Sequence, residues 1–427
     1  MKTISVPEGL QTKTFVLESG AIQSLAELLK TKFPGKQPWI IADENTWQAA
    51  GKKGATLLRE AGLNCAEPFI FPGEPRLHPD YNYSKMLAEK IPENGILVAI
   101  GSGVINDLAK CASGIKGIPY CCVPTACSVD GYTSAGAALS VNGTKKTVKC
   151  PAPCAVCADV DILATAPPEM LASGYADLLT KIPAGADWII ADTIGEEPIN
   201  KDVWQFVQGP IRKWVSDNTD MLNIFHGLAV TGYGMQMYHE SRPASGAEHL
   251  FSHVWEMEGL QQNGIDISHG FKVGVGLLAS TLLMEYIIKH RFDEVRSRMK
   301  EGLTVEERRV EIAGLLVKGC YGDAPEKTAM KKFFTGDQLS QRRCLIEEKW
   351  ETLRHRLQKQ LLPFEVLQKM LKDAHCPITP AQINLDKKQF LHGIRTAQLI
   401  RIRYTIIDLL YEMGLLDDAM LELEKRM

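Results

Sequence analysis

The sequence lacks a large excess of charge of either sign. Its 427 residues include 48 lysines and arginines against 51 aspartates and glutamates, which gives a formal net charge of −3. A surface that binds a polyanion through charge needs a strong basic excess, so we expect no nucleic-acid partner. Hydrophobic residues make up 45% of the chain. This content is enough for two sizeable cores and argues against disorder.

Long uncharged hydrophobic runs and paired cysteine motifs are also missing. The longest strongly apolar stretch, residues 273–288, is short for a membrane span and contains Glu285, so we expect no membrane segment. No secretory signal pattern opens the sequence, and eleven cysteines are spread along it, which favours a reducing cytoplasm. No CxxC pairs with a second CxxC, so the cysteines are predicted to be small buried apolar residues rather than zinc ligands.

The first 165 residues show the pattern of a parallel α/β domain. Short apolar runs at residues 39–43 (WIIAD), 96–100 (ILVAI) and 120–124 (YCCVP) each end at a polar or turn-forming position, as buried parallel strands do. Helical spacing lies between them, at residues 21–30 and 83–90. Strands that alternate with helices predict strand-helix-strand units.

Residues 166–427 are predicted to form a separate helical domain, because the strand signal disappears there. Residues 341–360 are strongly charged and predict a solvated helical face. The helix-compatible segments are residues 168–188, 203–238, 247–260, 271–290 and 341–360, with a final apolar helix around residues 404–416.

Residues 96–110 (ILVAIGSGVINDLAK) combine a buried strand, a glycine turn and a helix start. Gly101 and Gly103 can adopt positive φ and let the backbone approach a phosphate, whose charge would meet the free amides at the helix N-terminus. Asn106 stands where GxGxxG has its third glycine. A tight turn without a ligand is an equal alternative.

Asp43 lies at the end of an earlier predicted strand, where a carboxylate accepts hydrogen bonds from an adenosine ribose. Its charge favours NAD over NADP. The acid precedes the glycines in the chain, so the strand order should differ from that of a standard Rossmann half. The alternative is a helix-capping or turn residue.

A third polar segment, residues 124–134 (PTACSVDGYTS), follows the strand at 120–124. Thr125, Ser128 and Ser134 are candidates to hold nicotinamide or its ribose, and Asp130 is a candidate contact for a polyol. The alternative is a loop whose side chains bond to their own backbone.

Three segments of the helical half carry groups that bind divalent metals. Asp177 and Lys181 are one turn apart in a predicted helix, as are His249 and His253, and His269 begins another helix-like stretch. One carboxylate and two imidazoles suit zinc, nickel or ferrous iron and leave positions open for a substrate. The alternative is that these histidines are core or surface residues, since the sequence does not itself bring the three groups together.

Five motifs, taken in order, resemble the bacterial sn-glycerol-1-phosphate dehydrogenases, which belong to the wider superfamily of iron-type alcohol dehydrogenases, glycerol dehydrogenases and dehydroquinate synthases. The resemblance runs from about residue 38 to 280 and resumes at residues 400–416; residues 259–267 look inserted, and Phe271 and Lys272 replace acidic or amide residues. The motifs are GSGVIND (101–107), PTACSVDGYTS (124–134), GYADLLTK (174–181), SRPASGAEHLFSH (241–253) and SHGFKVGVG (268–276).

This resemblance implies a dehydroquinate-synthase-like architecture, with an α/β dinucleotide-binding domain, an all-α domain and an active site in the cleft between them. It implies metal ligation by Asp177, His249 and His269 and substrate contacts by Asp130 and His253. The residues expected at the dinucleotide, with Gly101 added from the glycine turn, are Asp43, Gly101, Gly103, Val104, Ile105, Asn106, Asp107, Thr125, Ser128 and Ser134.

The implied activity is reversible hydride transfer between a nicotinamide and C2 of glycerol 1-phosphate, yielding dihydroxyacetone phosphate. A metal at the C2 oxygen would act as a Lewis acid, and His253 would relay the hydroxyl proton. Lys181 is the first candidate for the cation that binds the phosphate. Arg242, Lys145 and Lys146 are the others.

The resemblance further suggests NAD or NADP as cofactor, one divalent metal with zinc first and nickel or iron as alternatives, a cytoplasmic homodimer, and a role in phospholipid metabolism. The alternative activities are a dehydrogenase for glycerol or another small polyol, and a dehydroquinate-synthase-like cyclase. A metabolite sensor without turnover is the alternative outside enzymes.

Overall fold

A computed structural model describes residues 3–141, 144–322 and 324–427. The chain divides into two compact units. The first comprises Met1–Leu178 and Arg212–Glu240, and the second comprises Leu179–Ile211 and Ser241–Met427. The predicted domain boundary between residues 165 and 166 stays a prediction.

A seven-stranded sheet organises the first unit, in the order β1-β2-β9-β6-β5-β3-β4. All neighbouring pairs are parallel except β1 with β2. The sheet strands are β1 Thr3–Ile4, β2 Thr14–Glu18, β3 Gln37–Asp43, β4 Phe69–Phe71, β5 Gly95–Gly101, β6 Tyr120–Pro124 and β9 Ala155–Asp159; β7 Ala137–Val141 and β8 Thr144–Val148 form a separate antiparallel hairpin.

The three predicted strands are confirmed as β3, β5 and β6. Every residue of β5 and β6 is buried, which is why their sequences read as continuous apolar runs rather than alternating ones. Strand β3, which ends at Asp43, pairs directly with β5, although β4 lies between them in the chain. Strands β1, β2, β4 and β9 and the hairpin β7–β8 have no counterpart among the predicted strands.

Helices cover the sheet of the first unit, and α1, α3 and strands β2, β3, β5, β6 and β9 share one apolar core. The predicted helix at residues 21–30 starts as a 3-10 turn, Ala21–Ser24, and continues as α1. The helices are α1 Leu25–Lys32, α2 Glu44–Thr46, α3 Lys52–Glu60 (after a π turn, Trp47–Gly51), α4 Tyr81–Lys90, α5 Gly103–Lys116, α6 Val160–Leu163, α7 Pro168–Leu179, α10 Ile211–Trp214 and α11 Met221–Tyr238.

The second unit is built from helices around α13, whose side chains are buried on all sides. The elements are α8 Lys181–Thr193, α9 Lys201–Gln208, α12 Ala247–Met257, α13 His269–Lys289, α14 Phe292–Val295, α15 Val305–Leu315, α16 Ala324–Lys331, α17 Gly336–Gln360, α18 Phe364–Asp373, α19 Lys387–Ala397, α20 Ile406–Glu412, α21 Leu416–Glu424, and 3-10 turns Arg296–Arg298 and Pro380–Ile383.

Helix α13 is the one helix of the described residues that is long and apolar enough to cross a membrane by composition, with a mean hydropathy of 1.6. Within that window 83% of the residues are buried inside the protein, as in a core helix. The segment with the appearance of an insertion, residues 259–267, forms a small exposed hairpin of β10 Gln261–Gln262 and β11 Ile265–Asp266. This hairpin is an exception to the predicted all-helical character after residue 165.

Three predicted helices have different limits in the structure. The prediction of one helix at 203–238 is wrong, because this segment is broken into α9, α10 and α11. The segment at 168–188 is broken at Thr180 into α7 and α8, so Asp177 and Lys181 lie on successive helices and the prediction of one shared helix face is wrong. The predicted final helix at 404–416 is α20, and a further helix, α21, follows it. Gly414, with φ of 65°, ends α20 because only glycine adopts this conformation without strain.

The charged segment at residues 341–360 lies within α17, as predicted. Five residues of α17 are buried, and they recur at intervals of three, four and seven, which places them on one face of the helix. The rest of the helix carries the charge. The buried residues are Leu339, Ile346, Trp350, Leu353 and Leu357.

Seven of the eleven cysteines are buried, and all are free thiols. The group of side chains that could hold a metal in the described residues contains no cysteine. The prediction of buried apolar cysteines therefore holds for most of them.

Candidate metal centre and dinucleotide-binding edge

The three predicted metal ligands are close together. Asp177 lies in the last turn of α7, His249 in the first turn of α12, and His269 is the first residue of α13. One ligand atom from each lies within 4.8 Å of the others. Donors bound tetrahedrally to one zinc ion at about 2.1 Å are about 3.4 Å apart, a separation that falls within this limit. Asp177 and His249 are buried, and His269 is half-buried.

Asp177 is tied to the loop that contains Asp130. Its Oδ2 accepts a hydrogen bond of 3.0 Å from the backbone amide of Asp130. Gly174, one turn earlier in α7, makes this approach possible, because a Cβ there would lie 2.2 Å from the carbonyl oxygen of Cys127. A glycine at this position therefore lets α7 pack directly on the loop backbone and holds Asp130 beside the candidate ligand.

The two ligand histidines come from helices α12 and α13, which pack closely. Their ring centroids are 5.2 Å apart. A Cβ at Gly276 of α13 would lie 2.7 Å from the carbonyl oxygen of Glu248. The backbones approach each other at this point because Gly276 has no side chain, and this approach sets the distance between the two rings.

His253 lies one turn after His249 in α12, so the predicted pair on one helix is confirmed. Its Nδ1 is 3.6 Å from Oε2 of Glu256, and the other oxygen of Glu256 is 2.7 Å from Nζ of the buried Lys272. No sequence motif predicted this network. The sequence feature that could have indicated it is helical spacing. Glu256 follows His253 by three residues, and Lys272 follows His269 by three.

The carboxyl ends of β3, β5 and β6 form the candidate dinucleotide-binding edge. Gly101 pairs in register with Pro124, and the amide of Thr125 donates a 3.1 Å hydrogen bond to the carbonyl of Gly101. Helix α5 begins at Gly103, and its N-cap, Ser102, makes no side-chain capping bond. The first amides of this 14-residue helix therefore suit a bound phosphate.

The positive φ that the sequence permits at Gly101 and Gly103 is not used in the structure. Neither glycine is among the positive-φ residues. Glycine is required at 101 for another reason, because a Cβ there would lie 2.4 Å from Cβ of Ile105 in the first turn of α5. The missing side chain serves the tight turn from strand to helix.

Asp43 caps helix α2, which confirms the structural alternative for this residue. Its Oδ1 accepts a 2.8 Å hydrogen bond from the amide of Thr46, and Thr46 Oγ1 accepts one of 3.0 Å from the amide of Asp43. The second oxygen, Oδ2, makes no hydrogen bond with the described residues. The cap thus leaves one carboxylate oxygen for the predicted ribose contact, which stays a prediction.

The side chains of Asn106 and Asp107 hold the neighbouring loop. Asn106 donates to the carbonyl of Gly131 at 3.2 Å and accepts from the hydroxyl of Tyr120 at 3.0 Å. Asp107 accepts from the amide of Ala138 at 3.1 Å. These side chains are engaged within the protein. The amide of Asn106 is also engaged, since it donates to the carbonyl of Ser102 at 3.0 Å. Cofactor contacts by Asn106 and Asp107 stay predictions, and those by Val104 and the buried Ile105 are expected from backbone amides in the first turn of α5.

The hydroxyl groups of Ser128 and Ser134 bond within the segment at 124–134. Ser128 Oγ lies 3.1 Å from the hydroxyl of Tyr132, and Ser134 Oγ donates to the carbonyl of Gly131 at 3.3 Å. These contacts are those of the alternative interpretation, in which the segment is a loop that bonds to itself. Thr125 is buried at the end of β6. Cofactor contacts by Thr125, Ser128 and Ser134 remain predictions.

The cations proposed for a phosphate have different surroundings. Lys181 is fully buried and its Nζ lies 3.4 Å from Thr180 Oγ1. Arg242 is engaged structurally, since it donates to two backbone carbonyls at 3.0 Å and pairs with Glu197 at 3.2 Å. Lys146 is exposed, and the side chain of Lys145 lies outside the described residues.

Comparisons with known proteins agree with this architecture. The sequence profile of the iron-containing alcohol dehydrogenases matches residues 16–167. The chain is 35% identical over 283 residues to a glycerol-1-phosphate dehydrogenase, NAD(P)+, of Bacillus velezensis, covering 62% of this chain and 70% of that relative. For the enzyme of the same name in Bacillus subtilis the identity is 33% over 284 residues, with 64% and 71% covered.

Solved structures share the fold. The glycerol dehydrogenase of Schizosaccharomyces pombe aligns with a TM-score of 0.59 at 15% identity, covering 99% of this chain and 91% of that one. A sulfoacetaldehyde reductase of Bifidobacterium kashiwanohense, solved in complex with NAD+, aligns with a TM-score of 0.56 at 14% identity, covering 96% and 98%. By its sequence relatives, the chain belongs to the glycerol-1-phosphate dehydrogenase family of the iron-containing alcohol dehydrogenase superfamily.

Proposed function

We propose that this protein is a metal-dependent, NAD(P)-linked oxidoreductase that interconverts sn-glycerol 1-phosphate and dihydroxyacetone phosphate by hydride transfer at C2. The observation that carries the proposal is the convergence of Asp177, His249 and His269, whose ligand atoms lie within 4.8 Å of one another. Relatives that share more than 30% identity over about two thirds of their length carry the name of this activity.

Asp177, His249 and His269 would hold one divalent metal. A carboxylate and two imidazoles suit zinc, nickel and ferrous iron, and we propose zinc first. When bound, the ion supplies Lewis-acid stabilisation of the negative charge that develops at the C2 oxygen as hydride leaves.

Asp130 and His253 would contact the substrate. The backbone bond from Asp130 to Asp177 keeps the Asp130 carboxylate beside the metal ligand, where it suits a polyol hydroxyl. His253 would accept the C2 hydroxyl proton during oxidation and return it during reduction, because an imidazole exchanges protons near neutral pH. Oε2 of Glu256 lies 3.6 Å from His253 Nδ1, so its negative charge would stabilise the ring when it holds the proton.

The dinucleotide would bind along the carboxyl ends of β3, β5 and β6. Amides at the start of α5 would bind the diphosphate, because Ser102 does not cap them. The free oxygen of Asp43 would accept from the adenosine ribose and disfavour a 2′-phosphate, so NAD would be preferred. Thr125, Ser128 and Ser134 would hold the nicotinamide end.

Lys181 would bind the phosphate of the substrate. A buried ammonium group forms a stronger electrostatic interaction with a dianion than one in water, because the surrounding dielectric is low. The homodimer, the cytoplasmic location and the domain limits 1–165 and 166–427 are further proposals from the family resemblance. Sedimentation analysis of the purified protein tests whether it is a homodimer.

The test is an assay of NADH oxidation with dihydroxyacetone phosphate or dihydroxyacetone, combined with elemental analysis. We expect one divalent metal per chain, loss of turnover on chelation, recovery with added metal, and much faster turnover of the phosphorylated ketone. Asp177→Asn should lose both metal and turnover. The exposed Asp373→Asn in α18 should keep both.

Other outcomes would identify the alternatives. Equal turnover of both ketones indicates a polyol dehydrogenase, and phosphate release without net NADH change indicates a cyclase. Tight NADH binding without turnover in metal-loaded protein indicates a sensor. Each of these results contradicts the proposed function.

A further inference from the structure

Glu248 is a fully buried carboxylate in the first turn of α12, directly before the candidate ligand His249. Its Oε1 accepts a 2.6 Å hydrogen bond from the amide of Gly246 and lies 2.8 Å from Nδ1 of His249. Adjacent residues of a helix point in different directions and rarely touch. Here they touch because the Glu248 side chain turns back to the start of its own helix.

This contact fixes the tautomer of the His249 ring. A carboxylate only accepts hydrogen bonds, and a neutral imidazole has a single N–H group. At 2.8 Å from Glu248, Nδ1 of His249 is therefore the nitrogen that carries the hydrogen. The lone pair is left on Nε2, the state in which a histidine binds a metal through Nε2 while a carboxylate orients its ring.

The charge of Arg403 acts on Glu248 at longer range, but no lysine or arginine of the described residues forms an ion pair with Glu248. Its one ion-pair contact within 4 Å is with His249, and Oε2 has no hydrogen-bond partner among the described residues. A buried carboxylate without a close compensating charge is unfavourable. Glu248 and Asp177 are both acidic, so both would offer negative charge to a divalent cation bound by Asp177 and His249.

Two glycines make room for this carboxylate. A Cβ at Gly246 would lie 2.5 Å from Oδ2 of Asp187 and 2.8 Å from Oε2 of Glu248. A Cβ at Gly276 would meet the Glu248 backbone at 2.7 Å. Residue 248 is thus enclosed by positions that admit no side chain, so the carboxylate has a defined place in the packing of α12 and α13.

We propose that Glu248 is a positioning residue for the metal: it holds His249 with hydrogen on Nδ1 and Nε2 directed at the ion, and it shares with Asp177 the neutralisation of a divalent charge. This inference rests on the proposed metal site but not on the identity of the substrate.

Metal affinity of the substrate-free protein tests the proposal, with two variants that separate charge from hydrogen bonding. Competition with a chromophoric chelator gives the Kd for Zn²⁺ without NADH or ketone. Glu248→Ala removes both functions and should raise this Kd about 10- to 100-fold. Glu248→Gln keeps an accepting oxygen but no charge, so we expect a smaller increase.

Glu285→Gln is the matched control. Glu285 is a largely buried acid of α13, the helix of His269, and pairs with Arg426 at 2.7 Å. Its loss should lower the thermal midpoint and leave the Kd for Zn²⁺ unchanged. A wild-type Kd in Glu248→Ala would overturn the proposal. If Glu248→Ala does not fold, a wild-type Kd in Glu248→Gln would overturn it instead.

Two further measurements keep this proposal separate from the proposed function. Histidine ¹⁵N chemical shifts should show hydrogen on Nδ1 of His249 in wild-type protein and a tautomer mixture in Glu248→Ala. Zinc affinity that depends on Glu248 in a protein inactive toward dihydroxyacetone phosphate would contradict the function and support the positioning role. Absence of divalent-metal binding by the wild-type protein would contradict both.

Discussion

Asp187 Oδ2 accepts a 2.6 Å hydrogen bond from the backbone amide of Ala247, the residue at which α12 begins. Its other oxygen accepts one of 2.7 Å from the amide of Ile406, the first residue of α20. One fully buried carboxyl group therefore joins the starts of two helices, and one of these helices carries His249. Burial, together with the charge of Glu248, raises the pKa of Asp187 to about 7.

This pKa predicts a stability that falls with rising pH. An aspartate of the unfolded chain has a pKa of about 3.9, so the folded protein binds more protons between about pH 4 and pH 7. Ionisation of Asp187 over this range therefore destabilises the folded state, by up to about 1.4 kcal/mol per pH unit. Asp187→Asn should remove this contribution, because its side chain does not titrate.

Thermal unfolding of metal-free protein in chelator checks this expectation. The advantage of wild type over Asp187→Asn should be largest near pH 4.5 and should shrink toward pH 7. The exposed Asp373→Asn serves as the control, with a nearly constant difference from wild type. A constant difference for Asp187→Asn would mean that Asp187 does not titrate in this range.

The fully buried Lys110 is predicted to hold the loop that follows β6. Its Nζ donates to the carbonyls of Gly131 and Gly136 at 2.7 and 3.0 Å and pairs with Asp107 at 3.2 Å. Lys110→Met removes all three bonds and leaves Asp107 without this charge, so we expect a loss of about 3 kcal/mol in the free energy of unfolding.

A double-mutant cycle isolates the ion pair within this loss. The loss for Asp107→Asn combined with Lys110→Met should be smaller than the sum of the two single losses, because the variants share one interaction. Urea unfolding followed by circular dichroism gives the four free energies. If the two losses of unfolding free energy are additive, the stabilisation by Lys110 comes only from its hydrogen bonds to the carbonyls of Gly131 and Gly136.

Sequence reasoning works best where one local pattern determines the structure. Strands β5 and β6 are buried on both faces, so their apolar runs could be recognised without knowing their neighbours. The HxxxH spacing of His249 and His253 likewise required only a helix. The types of residue that bind metals identified the candidate ligands, and the family resemblance joined them.

Features that depend on tertiary contacts escaped this reasoning. The requirement for glycine at 101 comes from the approach of Ile105, whereas the sequence left a phosphate-binding turn and a tight turn without a ligand as equal alternatives. The contacts of Glu248 with His249 and of Glu256 with Lys272 depend on side-chain directions and on helix pairing. Buried charged side chains near candidate ligands therefore needed the three-dimensional structure.

Asp43 is predicted to set the preference between NADH and NADPH. Asparagine caps helices as well as aspartate, so Asp43→Asn should keep the start of α2 and remove only the charge that repels a 2′-phosphate. We expect the ratio of kcat/KM for NADPH to that for NADH to rise about tenfold, equivalent to about 1.4 kcal/mol. Steady-state kinetics with both cofactors gives this ratio.

Asp80→Asn is the matched control for this substitution. Asp80 is also a helix cap, at the start of α4, where its Oδ1 accepts a 2.7 Å bond from the amide of Asn82. Its replacement should leave the cofactor ratio unchanged. If the cofactor ratio is also unchanged in Asp43→Asn, Asp43 acts only as a helix cap.

Lys181 is predicted to distinguish phosphorylated from unphosphorylated substrates. Lys181→Ala should raise KM for dihydroxyacetone phosphate far more than KM for dihydroxyacetone, because only the former carries the charge that Lys181 binds. The exposed Lys146→Ala is the control and should change neither KM. Equal effects on both substrates would exclude Lys181 as the phosphate-binding cation.

His253 and His249 occupy successive turns of α12, but we predict that their loss has different consequences. His249→Asn should lose the metal and with it all turnover, since this ring is a proposed ligand. His253→Asn should keep the metal and lower kcat by about 10²- to 10⁴-fold, the usual contribution of a general acid or base. Elemental analysis and ketone reduction on the same samples separate these outcomes. Metal loss in His253→Asn equal to that in His249→Asn would instead make His253 part of the metal centre, and the proton would have to move through another group.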